Sequence, residues 1–528
     1  MVTKSHYRPD IDGLRALAVL AVVLFHYHVS GFRGGFVGVD VFFVISGFLI
    51  TGLIHTEMRE GRFSLRQFYE RRIRRIFPGL FALLIAAIVA AGLIFFPNSL
   101  ARFGRSLLAT AFFGANFEFW REAGYFDVAA DQKPLLHLWS IAVEEQFYLI
   151  FPALLLLLGA SSKRRLLAVV GLIFVASLGF SIWSARHAPG AGYYLLPSRM
   201  WELMLGALLA LGAVKAPQPR VARETISFVG LALISIGIIV YSRHTPFPGA
   251  AALAPCVGTA LVIAAGESAA FNRMLSVRPV VFVGLISYSL YLWHWPLYVF
   301  ARAVLVHPLT PAETVVLIAL SLALAILSWR YIEQPVRSRS FRWPRPALFG
   351  GAVGAMAMAA ACAVLILNTR GLPQRFPPHI RAILAEEDDH EARLHECFGL
   401  TAQDVRAGRL CQIGAKVEEA SFILWGDSHA DALIPAVQSL AQRQGRTGLF
   451  AGTDSCPPLL GVKRADTTKC EAFNDAVAKI ATSRAIREVI LEARWAKNAE
   501  GSSFGPEAQP RIRLYDDISD GRTEKETR

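Results

Sequence analysis

From Ile11 to Asn368 the chain alternates long apolar runs with short polar connectors, whereas Arg370 to Arg528 has the mixed polarity of a soluble domain. A bilayer core of about 30 Å takes roughly 20 apolar residues per spanning helix. Runs of that kind begin near Ile11, Phe36, Ile76, Leu138, Leu166, Met200, Ile226, Gly249, Val280, Thr314 and Leu348, so the pattern predicts about eleven spanning helices. The stretch Ser99–Trp120 is different. It is half apolar but holds Arg102, Arg105, Asn116 and Glu118, and reads as an external amphipathic or re-entrant segment.

Charge adds direction to that pattern. Arg59–Arg75, Lys163–Arg165, Lys215–Arg223, Arg273–Arg278 and Arg337–Arg345 are basic and fall at every second connection; Ser30–Gly35, Arg186–Ser198, Ser242–Pro248 and Val306–Pro311 carry few positive charges. By the positive-inside rule the N-terminus is cytoplasmic, and an odd number of spans delivers Arg370 onward outside. A spanning Ser99–Trp120 would break this alternation. No small-residue cleavage site follows the first apolar run, so that helix is expected to be retained. The mean hydropathy of +0.41 and a charged fraction of 18 % fit a largely membrane-embedded protein. The net charge of +13 is concentrated in the cytoplasmic connectors and does not argue for nucleic acid.

Six cysteines divide by region. Cys256 and Cys362 lie in apolar runs and are expected to be inert. Cys397, Cys411, Cys456 and Cys470 lie in the exported part, where an oxidising compartment favours disulfides; nearest-neighbour pairing gives Cys397–Cys411 and Cys456–Cys470, one of three connectivities. No tight Cys-x-x-Cys pair supports zinc, and no metal is expected.

Ionisable groups inside a bilayer cost about 2.5–3.5 kcal/mol each and mark sites or pathways. Arg15 and His26 stand eleven residues apart on the first helix, on one face and about 16 Å apart along the axis. The short connection after it sets Asp40 at a depth similar to His26. Snorkelling and intrabundle hydrogen bonding would explain one such residue; an aligned pair beside a carboxylate favours a site. His137, Ser140 or Ile141, and Glu144 share one face of a second segment, with Glu145 adjacent. Trp139 and Tyr148 fit an interfacial belt, but two glutamates in an apolar run fit acid–base work on a hydroxyl. Tyr291 and His294 lie one turn apart, and on local grounds packing and a site explain them equally. Arg199 and Glu202 read as an intrahelical pair at the outer interface, and Glu333 as interfacial. The run Arg71, Arg72, Arg74 and Arg75 is what topology requires at a cytoplasmic helix start, although guanidinium groups also suit polyphosphate.

Together these stretches resemble the acyltransferase-3 family of membrane acyltransferases, in the subgroup fused to an SGNH hydrolase-like domain, such as bacterial O-antigen acetylases. The resemblance is carried by Tyr7–Arg15, His26, Gly38–Ile50, Phe68–Pro78, His137–Tyr148, Ser287–Pro296 and Tyr331–Pro335, in order over most of residues 7 to 345. It implies acyl-coenzyme A as donor, acetyl-coenzyme A above all, bound from the cytoplasm. It implies an acceptor outside: an envelope carbohydrate such as lipopolysaccharide O-antigen, exopolysaccharide or peptidoglycan. It also turns Arg71, Arg72, Arg74 and Arg75 into expected coenzyme A contacts, with Arg15 and His26 handling the donor. The expected mechanism has His26, oriented by Asp40, as base or transient acyl acceptor, with His137, Glu144 and Glu145 assisting on the outer side.

After the last apolar run, a strand ending in Trp425-Gly426-Asp427-Ser428-His429 followed by a helical segment resembles the first block of an SGNH fold, and Val489–Trp495 resembles a later strand. Ser428 is then the candidate nucleophile, with the helix N-terminus facing an oxyanion; helix capping by Asp427 or Ser428 is the plain alternative. His429 is the last histidine, so Ser428 lacks an evident base and the domain reads as partial. The expected architecture is therefore a mainly α transmembrane bundle followed by a partial α/β SGNH-like extracytoplasmic domain. Its divisions are residues 1–345 acyltransferase-like, 346–368 an additional membrane helix, 369–417 a linker and 418–528 the SGNH-like part. A bacterial inner-membrane O-acyltransferase, in contact with membrane lipid, is the expected function. A carbohydrate esterase acting through the outer domain and an acyl-group transporter are the competing readings.

Overall fold

A computed structural model describes residues 7–123, 132–158, 163–214, 217–305, 307–338, 343–385, 394–415, 419–464, 469–483, 486–495 and 514–515. Glu418, parts of the Lys215–Arg223 and Arg337–Arg345 connectors, and the tail beyond Tyr515 lie outside the described residues. The chain divides into two compact units at Pro373/Gln374.

The first unit is all helical. Its helices are α1 (Pro9–His26), α2 (Gly38–Arg59), α3 (Leu65–Ile94), α4 (Pro97–Ala111), α5 (Ala115–Glu122), α6 (Leu138–Leu157), α7 (Lys163–His187), α8 (Pro189–Tyr194) and α9 (Leu196–Ala210). They continue with α10 (Arg220–Val240), α11 (Leu253–Ala265), α12 (Ala270–Leu275), α13 (Arg278–Leu285), α14 (Ser287–Leu305), α15 (Pro311–Leu327), α16 (Gln334–Arg337) and α17 (Arg345–Asn368).

Each predicted apolar run is helical. By length and apolarity, however, seven described helices suffice to cross a bilayer, or eight if α13 and α14, which meet at a 64° bend, form one span. The shortfall from the expected eleven has identifiable causes: α1 carries Asp10, Asp12 and Arg15, and α9 and α11 run only 15 and 13 residues. Ser99–Trp120 falls on α4 and α5, of 15 and 8 residues, and neither is long enough to cross. The third helix starts at Leu65, so the arginine run is its first turns rather than a loop. Ile85, Val89 and Leu93 on α3 and Leu172 and Val175 on α7 face outward. Such faces suit lipid, where backbone groups must be satisfied inside the helix. The unit is that of a multi-pass membrane protein.

Inside the bundle, small residues let backbones touch. A Cβ on Gly47 would lie 1.9 Å from the carbonyl oxygen of Leu203, and one on Gly206 would lie 2.0 Å from that of Val44, so α2 and α9 meet backbone to backbone. Gly284 on α13 meets the Asp12 carbonyl of α1 in the same way.

The second unit holds a four-stranded sheet in the order β1-β3-β2-β5: β1 (Cys411–Gly414), β2 (Phe422–Gly426), β3 (Thr447–Gly452) and β5 (Glu488–Glu492). Strands β2, β3 and β5 are parallel and β1 is antiparallel. Two further strands, β4 (Lys463–Arg464) and β6 (Leu514–Tyr515), pair separately. Helices α18 (Pro378–Ala385), α19 (Leu394–Cys397), α20 (Ala402–Arg406), α21 (Ser428–Arg443) and α22 (Lys469–Ser483) complete it. The fully buried strands β2 and β3 are apolar on both faces, as expected of strands covered by helices. Disulfides join Cys397 to Cys411 and Cys456 to Cys470. Cys256 is buried and Cys362 half-buried, both as free thiols.

Candidate active site

Three histidines from three helices meet in the bundle. His26 is the last residue of α1, His137 caps α6, and His294 lies two turns into α14. Nδ1 of His26 is 2.8 Å from Nε2 of His294, and the His137 ring stands edge-on to His294 with centroids 5.8 Å apart. Nδ1 of His294 faces two carbonyl oxygens of its own helix, Tyr291 at 2.8 Å and Leu290 at 3.1 Å. Those atoms only accept, so neutral His294 carries its proton on Nδ1 and accepts at Nε2. His26 must then donate through Nδ1, which leaves its Nε2 lone pair free to take a proton. His137 is fixed similarly, with Nε2 donating to the Leu292 carbonyl at 3.1 Å. Trp295 braces the group, its ring 4.5 Å from His26 and its indole N–H donating to the Lys133 carbonyl at 2.9 Å.

A narrow cleft of about 90 Å³ adjoins this cluster, walled by α1, α2, α3, α6 and α14. Tyr291 connects the two, since its hydroxyl lies 2.7 Å from Ser140 Oγ and donates to the His137 carbonyl at 2.8 Å, while Ser140 and Tyr291 line the cleft. Arg15, Arg72, Arg75, Glu144 and Glu145 line it as well. Arg15 is held by Asp12 at 3.1 Å. Glu144 accepts from Ser46 Oγ at 2.8 Å and from the Tyr148 hydroxyl at 3.2 Å. Arg72 lies over the rings of Tyr148 and Phe68. Among the described residues neither Arg72 nor Arg75 has a carboxylate partner at ion-pair distance, and Oε1 of Glu145 is buried without a hydrogen bond. A half-buried guanidinium without an anion is a cost that a bound phosphate or carboxylate removes.

Several expectations are corrected here. Asp40 does not orient His26; it is fully buried on α2 with its Oδ1 2.7 Å from Arg199 Nη1, which also holds Glu202 at 2.8 Å. Arg199 is caged by Trp139, Tyr193 and Phe247, so the Arg199–Glu202 pair is the centre of a buried triad rather than an interfacial pair. The place given to Asp40 is taken by His294, which local sequence left even between packing and function. His137 and the glutamates separate as well: His137 joins the histidines, while Glu144 and Glu145, two turns on, face the arginines. Within the basic run, Arg71 is paired to Glu57 at 2.9 Å and Arg74 to Glu70 at 3.2 Å, leaving Arg72 and Arg75 for the cleft. Helical spacing explains this division, because positions 71 and 74 share one face and 72 and 75 another. Glu333 is buried rather than interfacial, accepting from Ser289 and Ser328. Ser46 and Ser289 were missed, since a serine in an apolar helix gives no signal until its carboxylate partner is placed.

In the second unit β2 ends at Gly426, where a Cβ would lie 1.7 Å from the Glu492 carbonyl, and Asp427 caps α21 by accepting from the His429 N–H at 2.9 Å. Asp427 also accepts from the Arg494 N–H at 3.0 Å. Ser428 and His429 are exposed at that turn.

A family model described as an acyltransferase domain matches residues 8–330, and one described as an SGNH domain fused to such domains matches residues 396–527. The chain belongs to the acyltransferase-3 family. Its acyltransferase-3 domain thus contains the histidine cluster and the arginine cleft. Over 352 residues the chain is 32 % identical to a peptidoglycan O-acetyltransferase OatA of Listeria monocytogenes, covering 63 % of this chain and 56 % of that one. It is 33 % identical over 353 residues to an O-acetyltransferase OatA of Staphylococcus aureus, covering 64 % and 58 %. The alignment spans a little over half the length of these relatives. No solved structure matches the chain.

Proposed function

We propose that this acyltransferase-3 protein is an inner-membrane O-acetyltransferase that takes acetyl from cytoplasmic acetyl-coenzyme A and delivers it to a hydroxyl of an envelope carbohydrate outside. The observation that carries the reading is the half-buried pair Arg72 and Arg75, without an ion-paired carboxylate among the described residues, in a cleft linked through Tyr291 to the His26–His294 pair. The arginines suit the phosphates of the donor, and the narrow cleft suits its acyl end. Relatives named as O-acetyltransferases, one of them of peptidoglycan, support the transfer and the envelope acceptor.

In the transfer, Nε2 of His26 takes the proton of the acceptor hydroxyl as its oxygen bonds to the thioester carbonyl carbon. The C–S bond then breaks, and the departing thiolate takes the proton from Nε2 of His26 to leave as coenzyme A thiol, which returns His26 to its neutral form. His294, itself fixed by backbone carbonyls, holds His26 in the tautomer this requires. His137 packs edge-on against His294 and helps to fix its ring.

With a cytoplasmic N-terminus and eleven spans, counting the short α1, α9 and α11 and the α13–α14 pair as one, residues 374 onward would lie outside. There the SGNH unit holds the acceptor, with Ser428 exposed at the turn after β2. Labelled acetyl-coenzyme A supplied to sealed inverted vesicles tests the whole reading. Label on lumenal glycan supports it, whereas free acetate in the lumen or loss of label without glycan product overturns it.

A further inference from the structure

A second cavity, of about 410 Å³, opens where α1 ends; Phe25, His28, Phe32, Arg33, Arg243 and His244 line it. The volume lies within the roughly 300–1,000 Å³ of small-molecule sites. Its walls come from two distant connectors, the turn between α1 and α2 and the link between α10 and α11. Gly34 brings them together: its N–H donates to the Ile238 carbonyl at 2.8 Å, so close that a Cβ would lie 2.1 Å from the Gly237 carbonyl.

The charge of this cavity has no topological reason. Both connectors are on the side opposite the basic ones, where the positive-inside rule gives no preference for Lys or Arg. Each nevertheless contributes one arginine to the same cavity. Arg33 and Arg243 are exposed, have no carboxylate partner among the described residues, and no acidic residue lines the cavity. His28 is tied to the Tyr298 hydroxyl at 3.2 Å, which leaves the two guanidinium groups as the cations lining the cavity. Phe25 and Phe32 add apolar faces, the surface against which the C–H side of a sugar ring rests. Phe25 precedes His26 and His28 lies two positions after it, and the Phe25 and His26 rings are 5.3 Å apart.

Resting on the acetyltransferase reading, we infer that this cavity is the subsite for an anionic substituent of the acceptor, so that the substrate class is a carboxylate- or phosphate-bearing saccharide. The arginines hold the charge and the phenylalanines the ring, and a neighbouring hydroxyl is presented to His26. Its place beside the histidine pair favours a saccharide over a lipid headgroup.

The test uses the full-length protein in phosphatidylcholine nanodiscs, with a hexuronate tetrasaccharide and its carboxyl-reduced neutral counterpart as probes. Equilibrium binding is measured directly, and acetyl transfer separately. The charged probe is expected to bind at least tenfold more tightly than the neutral one. The Arg33→Gln, Arg243→Gln double variant should lose that preference, and Arg33→Lys, Arg243→Lys should keep part of it. Equal binding of the two probes, or a preference unchanged in the Gln variant, overturns the inference. So does a Gln variant that keeps the charge preference but, in nanodiscs doped with phosphatidylglycerol, loses retention of that lipid, which would mark a lipid site. Charge-selective binding without any acetyl transfer would instead count against the acetyltransferase reading and leave the anion subsite standing.

Discussion

His26 and His294 are 268 residues apart in sequence and meet with Nδ1 and Nε2 at 2.8 Å. One imidazole thus fixes the tautomer of the other, and the pair acts as a unit. His26→Ala is expected to abolish envelope acetylation at unchanged protein level. His294→Ala should lower it by about 10²–10⁴-fold, the usual worth of a general base in its correct state. Residues that act as a unit are non-additive, so the double variant should be no worse than His26→Ala. Labelled acetate on isolated glycan, normalised by immunoblot, measures all three.

The arginine run divides by helix face, and so should its variants. Arg72→Gln and Arg75→Gln each remove a cation from the cleft. Losing a hydrogen bond to a charged group costs about 1.5–3 kcal/mol, roughly 10–100-fold in affinity. The KM for acetyl-coenzyme A should rise accordingly. Arg71→Gln, already paired outside the cleft, should leave that KM within about twofold, as initial rates in vesicles would reveal.

Among the described residues, Arg199 is the sole cation within ion-pair distance of two fully buried carboxylates, Asp40 and Glu202. Arg199→Met strands Asp40 and Glu202, and breaking a buried pair costs about 3–5 kcal/mol. The thermal midpoint of the detergent-solubilised protein should therefore fall. The triple variant Asp40→Asn, Arg199→Met, Glu202→Gln removes all three charges together and should recover most of the loss, which a merely bulky-residue effect would not.

Each disulfide closes a loop with a sequence separation of 14. A loop of that length is worth about 3 kcal/mol. Cys456→Ser with Cys470→Ser should make the second unit melt earlier and become protease-sensitive under conditions where the first unit stays intact. Limited proteolysis with and without reductant is the check.

The sequence showed most of the bundle, because apolar runs of about 20 residues are set by bilayer thickness whatever their neighbours do. It showed less of the site. The placement of Asp40 failed because depth along a helix was legible and rotation about its axis was not; only packing against α9 turns Asp40 towards Arg199. His294 was undervalued for the opposite reason, as its partner lies 268 positions away and no local spacing reveals it. The division of the arginines was within reach, since helical periodicity alone separates 71 and 74 from 72 and 75. Extending the helix back to Leu65, which the Arg59–Arg75 loop assignment prevented, would have shown it.

The glycine contacts between α2 and α9 have a mechanical side. Two helices whose backbones touch at Gly47 and Gly206 have no side-chain layer to slide on, and the Asp40–Arg199 link pins them further along. That geometry favours their moving as one body. Any breathing that admits a ligand to the cleft is left to the opposite walls, α3, α6 and α14, and the bend at the start of α14 is the natural hinge for it.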